Sequence, residues 1–134
     1  MVRRSDAAIV LDAGAVIGLA RGNTALRAMV TKAHLAGNEI IVPMVVLAET
    51  VRGNGPRDAA VNLTLAQLTP HPPLDEPTAR LAGSLLGAAG SGATIDALVA
   101  AEALRRAPSL LFTGDPDDLR ALLDGQQGVS IERV

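Results

Sequence analysis

The chain has 134 residues, of which 49% are hydrophobic and 19% are charged, and its net charge is −2. This length fits one domain, and the composition is too apolar for a disordered chain, although no apolar run approaches the roughly 20 residues of a membrane-spanning helix. Because cysteine is absent, disulfides, thiolate zinc sites and a thiol nucleophile are excluded, and we expect a cytoplasmic protein.

Short apolar runs alternate with segments of helical periodicity along the chain. Four prolines make residues 69–77 an extended edge segment or a loop. No repeat, linker or low-complexity tract divides the sequence, so we expect a single domain over residues 1–134. The predicted elements are, in order, a strand at 7–11, helices at 13–20 and 23–37, a strand at 39–42, helices at 44–53, 56–68, 78–90 and 95–107, a strand at 109–113, a helix at 116–125 and a strand at 129–134.

Strands that are separated by helices need crossover connections, which produce a mostly parallel sheet with helices on both faces. We therefore expect a three-layer α/β/α sandwich. In sheets of this kind the functional crevice lies outside the carboxyl ends of the strands. The residues that follow each strand are consequently the first candidates for a functional site.

Four acidic residues from separate segments are expected to meet at that crevice. Asp12 ends the first strand, and Asp115 stands just beyond the strand at 109–113. Glu49 lies about two turns into the helix after the second strand, and Asp96 lies in the first turn of the helix that leads to the third. The sequence therefore predicts a cluster of carboxylates at the carboxyl end of the sheet.

Helix capping is an alternative explanation for three of these acids. Asp12 can cap the helix that follows it, and Asp96, with Thr94 as the expected N-cap, lies near the positive end of its helix dipole. Asp115 stands three residues before Asp118, a spacing typical of a capped helix start. Each of these acids can therefore have a purely structural role.

Glu49 is harder to explain by local structure, because its neighbours in VVLAETV are largely apolar and an unpaired buried carboxylate costs free energy. Arg52, three residues further on, can pair with it. Clustered carboxylates raise one another's pKa unless a cation compensates, and oxygen ligands without Cys or His select Mg²⁺ or Mn²⁺. The combination favours a metal site.

With Asp12 in IVLDAGAVIGLA, Glu49 in VVLAET, Asp96 in TIDALVAAEA and Asp115 in LFTGDPDDL, the chain resembles the PIN domain family, particularly its VapC-type ribonuclease toxins. The resemblance extends over nearly the whole chain and rests on the order and spacing of the four motifs together. It implies a catalytic quartet of Asp12, Glu49, Asp96 and Asp115, with Asp12, Asp96 and Asp115 as metal ligands and Thr113, Asp117 and Asp118 as supporting groups.

The activity that the resemblance implies is Mg²⁺- or Mn²⁺-dependent hydrolysis of RNA by an endoribonuclease that a partner antitoxin blocks. An acidic cluster that awaits a cation can also accept a guanidinium, so we expect the antitoxin to insert a basic side chain. The apolar composition and the alanine-rich helices leave more hydrophobic surface than one small core buries, which favours a homodimer.

Two features depart from the family pattern. Gly14 stands where many members place a hydroxyl or amide residue, and a chain with net charge −2 and one aromatic residue has neither a basic footprint nor stacking platforms for RNA. A catalytically silent PIN-like domain that binds RNA or protein is therefore the main alternative. A haloacid-dehalogenase-like phosphatase would need an Asp at position 14, and a receiver-type module would need a late Lys, whereas Lys32 lies in an early helix.

Overall fold

The computed structural model of the chain describes residues 6–134, and within them helices and strands alternate as the sequence predicts. The elements are, in chain order, β1 (Ala8–Leu11), α1 (Ala13–Ala20), α2 (Thr24–Leu35), β2 (Ile40–Ile41), α3 (Met44–Thr50), α4 (Gly55–Gln67), α5 (Glu76–Ala89), α6 (Thr94–Arg105), β3 (Ser109–Thr113), α7 (Pro116–Leu122) and β4 (Val129–Arg133).

The four strands form one parallel sheet in the order β2-β1-β3-β4. This parallel sheet with helices packed around it confirms the predicted α/β sandwich. In the register of the sheet, Leu11 pairs with Phe112, and Thr113 pairs with Arg133. All four strands therefore end at the same edge, and the residues that follow β1 and β3 are brought side by side.

The two central strands are buried along their whole length, as expected for a parallel sheet that is covered on both faces. Val10, Leu11 and Leu111 are completely inaccessible to solvent. Because their side chains alternate between the two faces, they anchor the helical layers on both sides. The central strands thus give the site a rigid base.

Helices pack around the carboxyl edge of this sheet. α1 begins one residue after Asp12 and packs against α3 and α4, whereas α6 packs against α3, α5 and α7. Within residues 6–134 no single helix has the length and apolar composition needed to cross a membrane; α5 and α6 pass that test only as a pair, which is bent by 117°.

The structure departs from the predicted boundaries most clearly after β2, where the helix ends at Thr50 and not at Gly53. The Thr50 hydroxyl donates to the Val46 carbonyl at 2.9 Å, and the backbone then becomes extended. The buried carboxylate of Asp58 accepts the backbone N–H groups of Arg52 at 2.9 Å and Asn54 at 3.0 Å. Asp58 of α4 therefore provides the hydrogen-bond acceptor for the backbone N–H groups of the turn that follows α3.

Candidate metal-binding site

Asp12 lies at the junction between β1 and α1. Its backbone N–H donates to the Phe112 carbonyl at 3.2 Å, which continues the pairing of β1 with β3. Its carboxylate is the N-cap of α1 and accepts the Ala15 N–H at 3.0 Å. The capping role predicted from sequence is thus present, and it holds the half-buried carboxylate at the edge of the sheet.

Thr113, the last residue of β3, connects two of the predicted acids. Its side chain is completely buried, and its hydroxyl hydrogen-bonds the Asp12 carboxylate. The same oxygen accepts the backbone N–H of Asp115 at 3.0 Å. Because a hydroxyl can donate one hydrogen bond while it accepts another, Thr113 fixes both neighbours at once.

Asp115 begins α7 and is exposed, and its carboxylate accepts the Asp117 N–H at 3.4 Å as the helix N-cap. The two following acids differ in position. Asp118 is close enough to raise the pKa of Asp96, whereas the side chain of Asp117 is 89% exposed and lies 3.6 Å from Arg120. Of these two predicted supporting acids, Asp118 has the stronger influence on Asp96.

Asp96 lies in the first turn of α6, but Thr94 is not the cap of that helix. The N-cap is Ala93, which has no side-chain hydrogen bond to offer, and Thr94 is the first helical residue. The pKa of Asp96 is raised from 3.8 to about 6, first by burial and then by four neighbouring carboxylates. In order of influence these are Asp118, Glu49, Asp12 and Asp115. The other three members of the predicted quartet therefore all act on Asp96.

Glu49 is half-buried in α3 and forms no ion pair with a Lys or Arg of residues 6–134. Arg52, which the sequence allowed as its partner, donates instead to the Ala48 carbonyl at 2.7 Å. Glu49 is therefore not neutralised by its own helix, and its charge contributes to the raised pKa of Asp96.

Among the residues that the structure describes, no cation pairs with the cluster. Within residues 6–134, no Lys or Arg forms an ion pair with Asp96 or with any of the four acids around it. Burial also raises the pKa of Asp12, although hydrogen bonds from Thr113 and from backbone N–H groups oppose the rise. In the arrangement described, no three acidic or histidine side chains of this part of the chain are grouped tightly enough to form a complete metal site.

Gly14 has a steric explanation. A Cβ atom at position 14 would lie 2.8 Å from the backbone nitrogen of Gly114 and 3.0 Å from its Cα atom. The start of α1 and the loop after β3 therefore pass each other too closely for any larger residue at position 14. This contact brings the chain after Asp12 against the chain before Asp115.

Sequence reasoning missed a cation at the same sheet edge. Arg133 ends β4 in register with Thr113 and is exposed. The signal was available, since the last predicted strand ends at this residue and a parallel neighbour of β3 must end near Asp115. The order of the strands, which places Arg133 next to Thr113, is not evident from the sequence.

Comparisons with known proteins agree with this architecture. The PIN domain model matches residues 9–122. The chain is similar to one in the crystal structure of VapBC2 from Rickettsia felis bound to a DNA fragment from the promoter, with a TM-score of 0.72, 15% identity, and coverage of 94% of this chain and 98% of that one.

A second similar structure is VapBC-5 from Mycobacterium tuberculosis, a member of the VapBC family of toxin–antitoxin systems. The TM-score is 0.62 at 27% identity, and the match covers 96% of this chain and 99% of that one. No curated protein sequence matches the chain.

Proposed function

The chain belongs to the PIN domain family, and from this premise we propose that it is a metal-dependent endoribonuclease that acts as the toxin of a toxin–antitoxin pair. The observation that carries the proposal is the gathering of Glu49, Asp12, Asp115 and Asp118 around Asp96, with no paired cation in the described part of the chain, residues 6–134. Like charges held together at a strand edge cost free energy, and a bound cation would remove that cost.

The chemistry of the cluster fits Mg²⁺ or Mn²⁺, because all of its side-chain donors are carboxylate oxygens. We propose Asp12, Asp96 and Asp115 as the ligands. Mg²⁺ commonly keeps several waters and binds one or two carboxylates directly. A site in which waters complete the coordination is therefore compatible with acids that do not form a closed group of three.

A divalent ion at this position would activate water and neutralise charge on the scissile phosphate. The residues of the chain have separate tasks. Thr113 orients Asp12 and the start of α7 through its two hydrogen bonds. Glu49, which has no cation of its own, is available to accept a hydrogen bond from the attacking water, and Asp118 adds to the field around Asp96.

The proposed partner is an antitoxin that places a basic side chain among these carboxylates. Two observations support this partner. The similar structure is that of VapBC-5, a member of the VapBC family of toxin–antitoxin systems. The acids form no ion pair with a cation among residues 6–134. A guanidinium matches carboxylates through parallel hydrogen bonds, so it can replace the charge of the ion.

We also propose that the chain forms a homodimer. Large apolar side chains remain exposed on several elements, and their coverage by a second copy would recover hydrophobic free energy. The most exposed are Leu35 at 80% and Leu63 at 64%. Light scattering at micromolar concentration tests this point, since a monomeric mass would contradict it.

A nuclease assay tests the function. The purified chain is incubated with single-stranded RNA in Mg²⁺, in Mn²⁺ and in EDTA, beside the Asp96→Asn variant. We expect internal cleavage that requires the ion and is lost in the variant. A folded chain that binds RNA or the partner but never cuts would instead establish the catalytically silent PIN-like domain.

A further inference from the structure

Arg133 is placed by the sheet on the same face as the candidate site. The register pairs Leu11 with Phe112 and Thr113 with Arg133, so Asp12, the residue that follows β1, lies beside Thr113 in line with Arg133. Residues that are paired in a parallel sheet direct their side chains to the same face, because side chains alternate along every strand. Arg133 therefore shares the face on which Thr113 hydrogen-bonds Asp12.

The guanidinium of Arg133 is accessible to a ligand. It is exposed and forms no ion pair with a described carboxylate, including those of the neighbouring cluster. Neighbouring strands lie about 4.8 Å apart, which puts the Cα atoms of Arg133 and Asp12 roughly 10 Å apart. The cation is thus beside the acids without neutralising them.

The two arginines at the end of α6 far from Asp96 already form ion pairs. Arg105 is bound by Asp75 at 2.9 Å, and Arg106 is bound by Glu102 and by Glu39, both at 2.7 Å. Asp96 begins the helix and these arginines end it, so they lie away from the site. They cannot supply the positive charge that an approaching polyanion needs at the carboxyl edge.

We propose that Arg133 binds a phosphate of the RNA strand adjacent to the one that is cleaved, and so positions the strand across the carboxylates. The inference rests on the proposed nuclease function. With its Cα atom roughly 10 Å from that of Asp12, Arg133 is placed to hold the phosphate next to the one at the carboxylates. The planar guanidinium suits this task because it donates two parallel hydrogen bonds to phosphate oxygens.

The test measures binding separately from cleavage. Anisotropy of a short fluorescein-labelled single-stranded RNA of randomised sequence is titrated with protein in Ca²⁺, over a series of salt concentrations. For Arg133→Gln we expect a Kd about tenfold higher and a slope of log Kd against log salt that is smaller by about 0.7, which corresponds to one lost phosphate contact. Arg133→Lys should retain most of the slope, because it keeps the charge.

Arg21→Gln is the matched control, since Arg21 is exposed and lies at the far end of α1 from Asp12. Melting temperatures verify that all variants fold. In Mg²⁺, Arg133→Gln should raise KM for cleavage with kcat nearly unchanged. The proposal is overturned if Arg133→Gln matches the wild type or Arg21→Gln, or if the wild type does not bind RNA. Binding that depends on Arg133 without cleavage by the wild type would support the contact and contradict the nuclease function.

Discussion

Thr113 hydrogen-bonds the carboxylate of Asp12 from the neighbouring strand, so that two acids which are separated by a hundred residues of sequence share one buried hydroxyl. The bond lowers the pKa of Asp12 against the effect of burial, which is larger and raises it. A group that keeps Asp12 ionised favours cation binding, because a protonated carboxyl is a poor ligand.

Thr113→Val should therefore damage both the fold and the site. The substitution leaves the Asp115 N–H without its acceptor and removes the donor to Asp12, which should cost about 1–3 kcal/mol of stability. Titration calorimetry with Mn²⁺ should show weaker binding than in Thr113→Ser, which keeps the hydroxyl. Equal affinities in the two variants would show that the hydrogen bond has no role in holding an ion.

Asp96→Asn should lower the rate of cleavage by roughly 100-fold or more, while the chain remains folded. The amide keeps the size of the side chain but removes the charge at the centre of the cluster. Asp124→Asn is a suitable control, because Asp124 is exposed and lies beyond α7. If Asp96→Asn retains wild-type activity in Mg²⁺, Asp96 has only a structural role in the first turn of α6.

The stability of the metal-free protein should depend on pH through Asp96. Its pKa is raised in the folded state from 3.8 to about 6, so its contribution to stability is complete below about pH 4 and is lost as the pH rises through about 6. In EDTA, we expect the melting temperature of the wild type to fall relative to Asp96→Asn between about pH 4 and pH 6 and to level off above that. Mg²⁺ should reverse the loss. A difference in melting temperature between the two proteins that stays constant as the pH changes would contradict the electrostatic account.

Gly14 and Gly114 should respond differently to alanine. A Cβ atom at position 14 would meet backbone at 2.8 Å, whereas one at position 114 would lie an ordinary 3.5 Å from Gly14. We expect Gly14→Ala to lower stability by about 1–3 kcal/mol and Gly114→Ala to be nearly neutral. Urea denaturation measures both, and equal effects would show that the close approach is relieved at little cost.

Asp58 should prove essential for stability and unimportant for catalysis. Its buried carboxylate accepts two backbone N–H groups and pairs with Arg57 at 3.0 Å. Burial raises its pKa, but these hydrogen bonds and the guanidinium outweigh burial and lower it, so the stabilisation is lost as the pH falls below about 4. Asp58→Asn should lower the melting temperature by several degrees, with kcat unchanged in the fraction that folds.

Local patterns predicted the fold well because the apolar runs of β1 and β3 are uninterrupted and each is followed by a helix start. The same patterns placed Asp12, Asp96 and Asp115 at the right ends of their elements. They could not show that Asp117 and Asp118 face different ways, since both lie in one helical turn.

Features that depend on packing between distant segments were not predictable. The backbone contact between Gly14 and Gly114 depends on how closely two loops approach, and the role of Asp58 depends on where α3 ends. Arg133 acquires its position only from the pairing of β4 with β3. The contact between the two glycines and the position of Arg133 require the strand order, which periodicity does not contain, and the role of Asp58 requires the end of α3 at Thr50.

The most direct test of the central claim is anomalous diffraction from crystals of the wild-type chain grown with Mn²⁺. We expect a peak beside the Asp12 and Asp96 carboxylates, with oxygen ligands at roughly 2.0–2.6 Å and water completing the coordination. An empty cluster at saturating Mn²⁺, or carboxylates of Asp12 and Asp96 separated by more than about 10 Å, too far to share an ion, would contradict it.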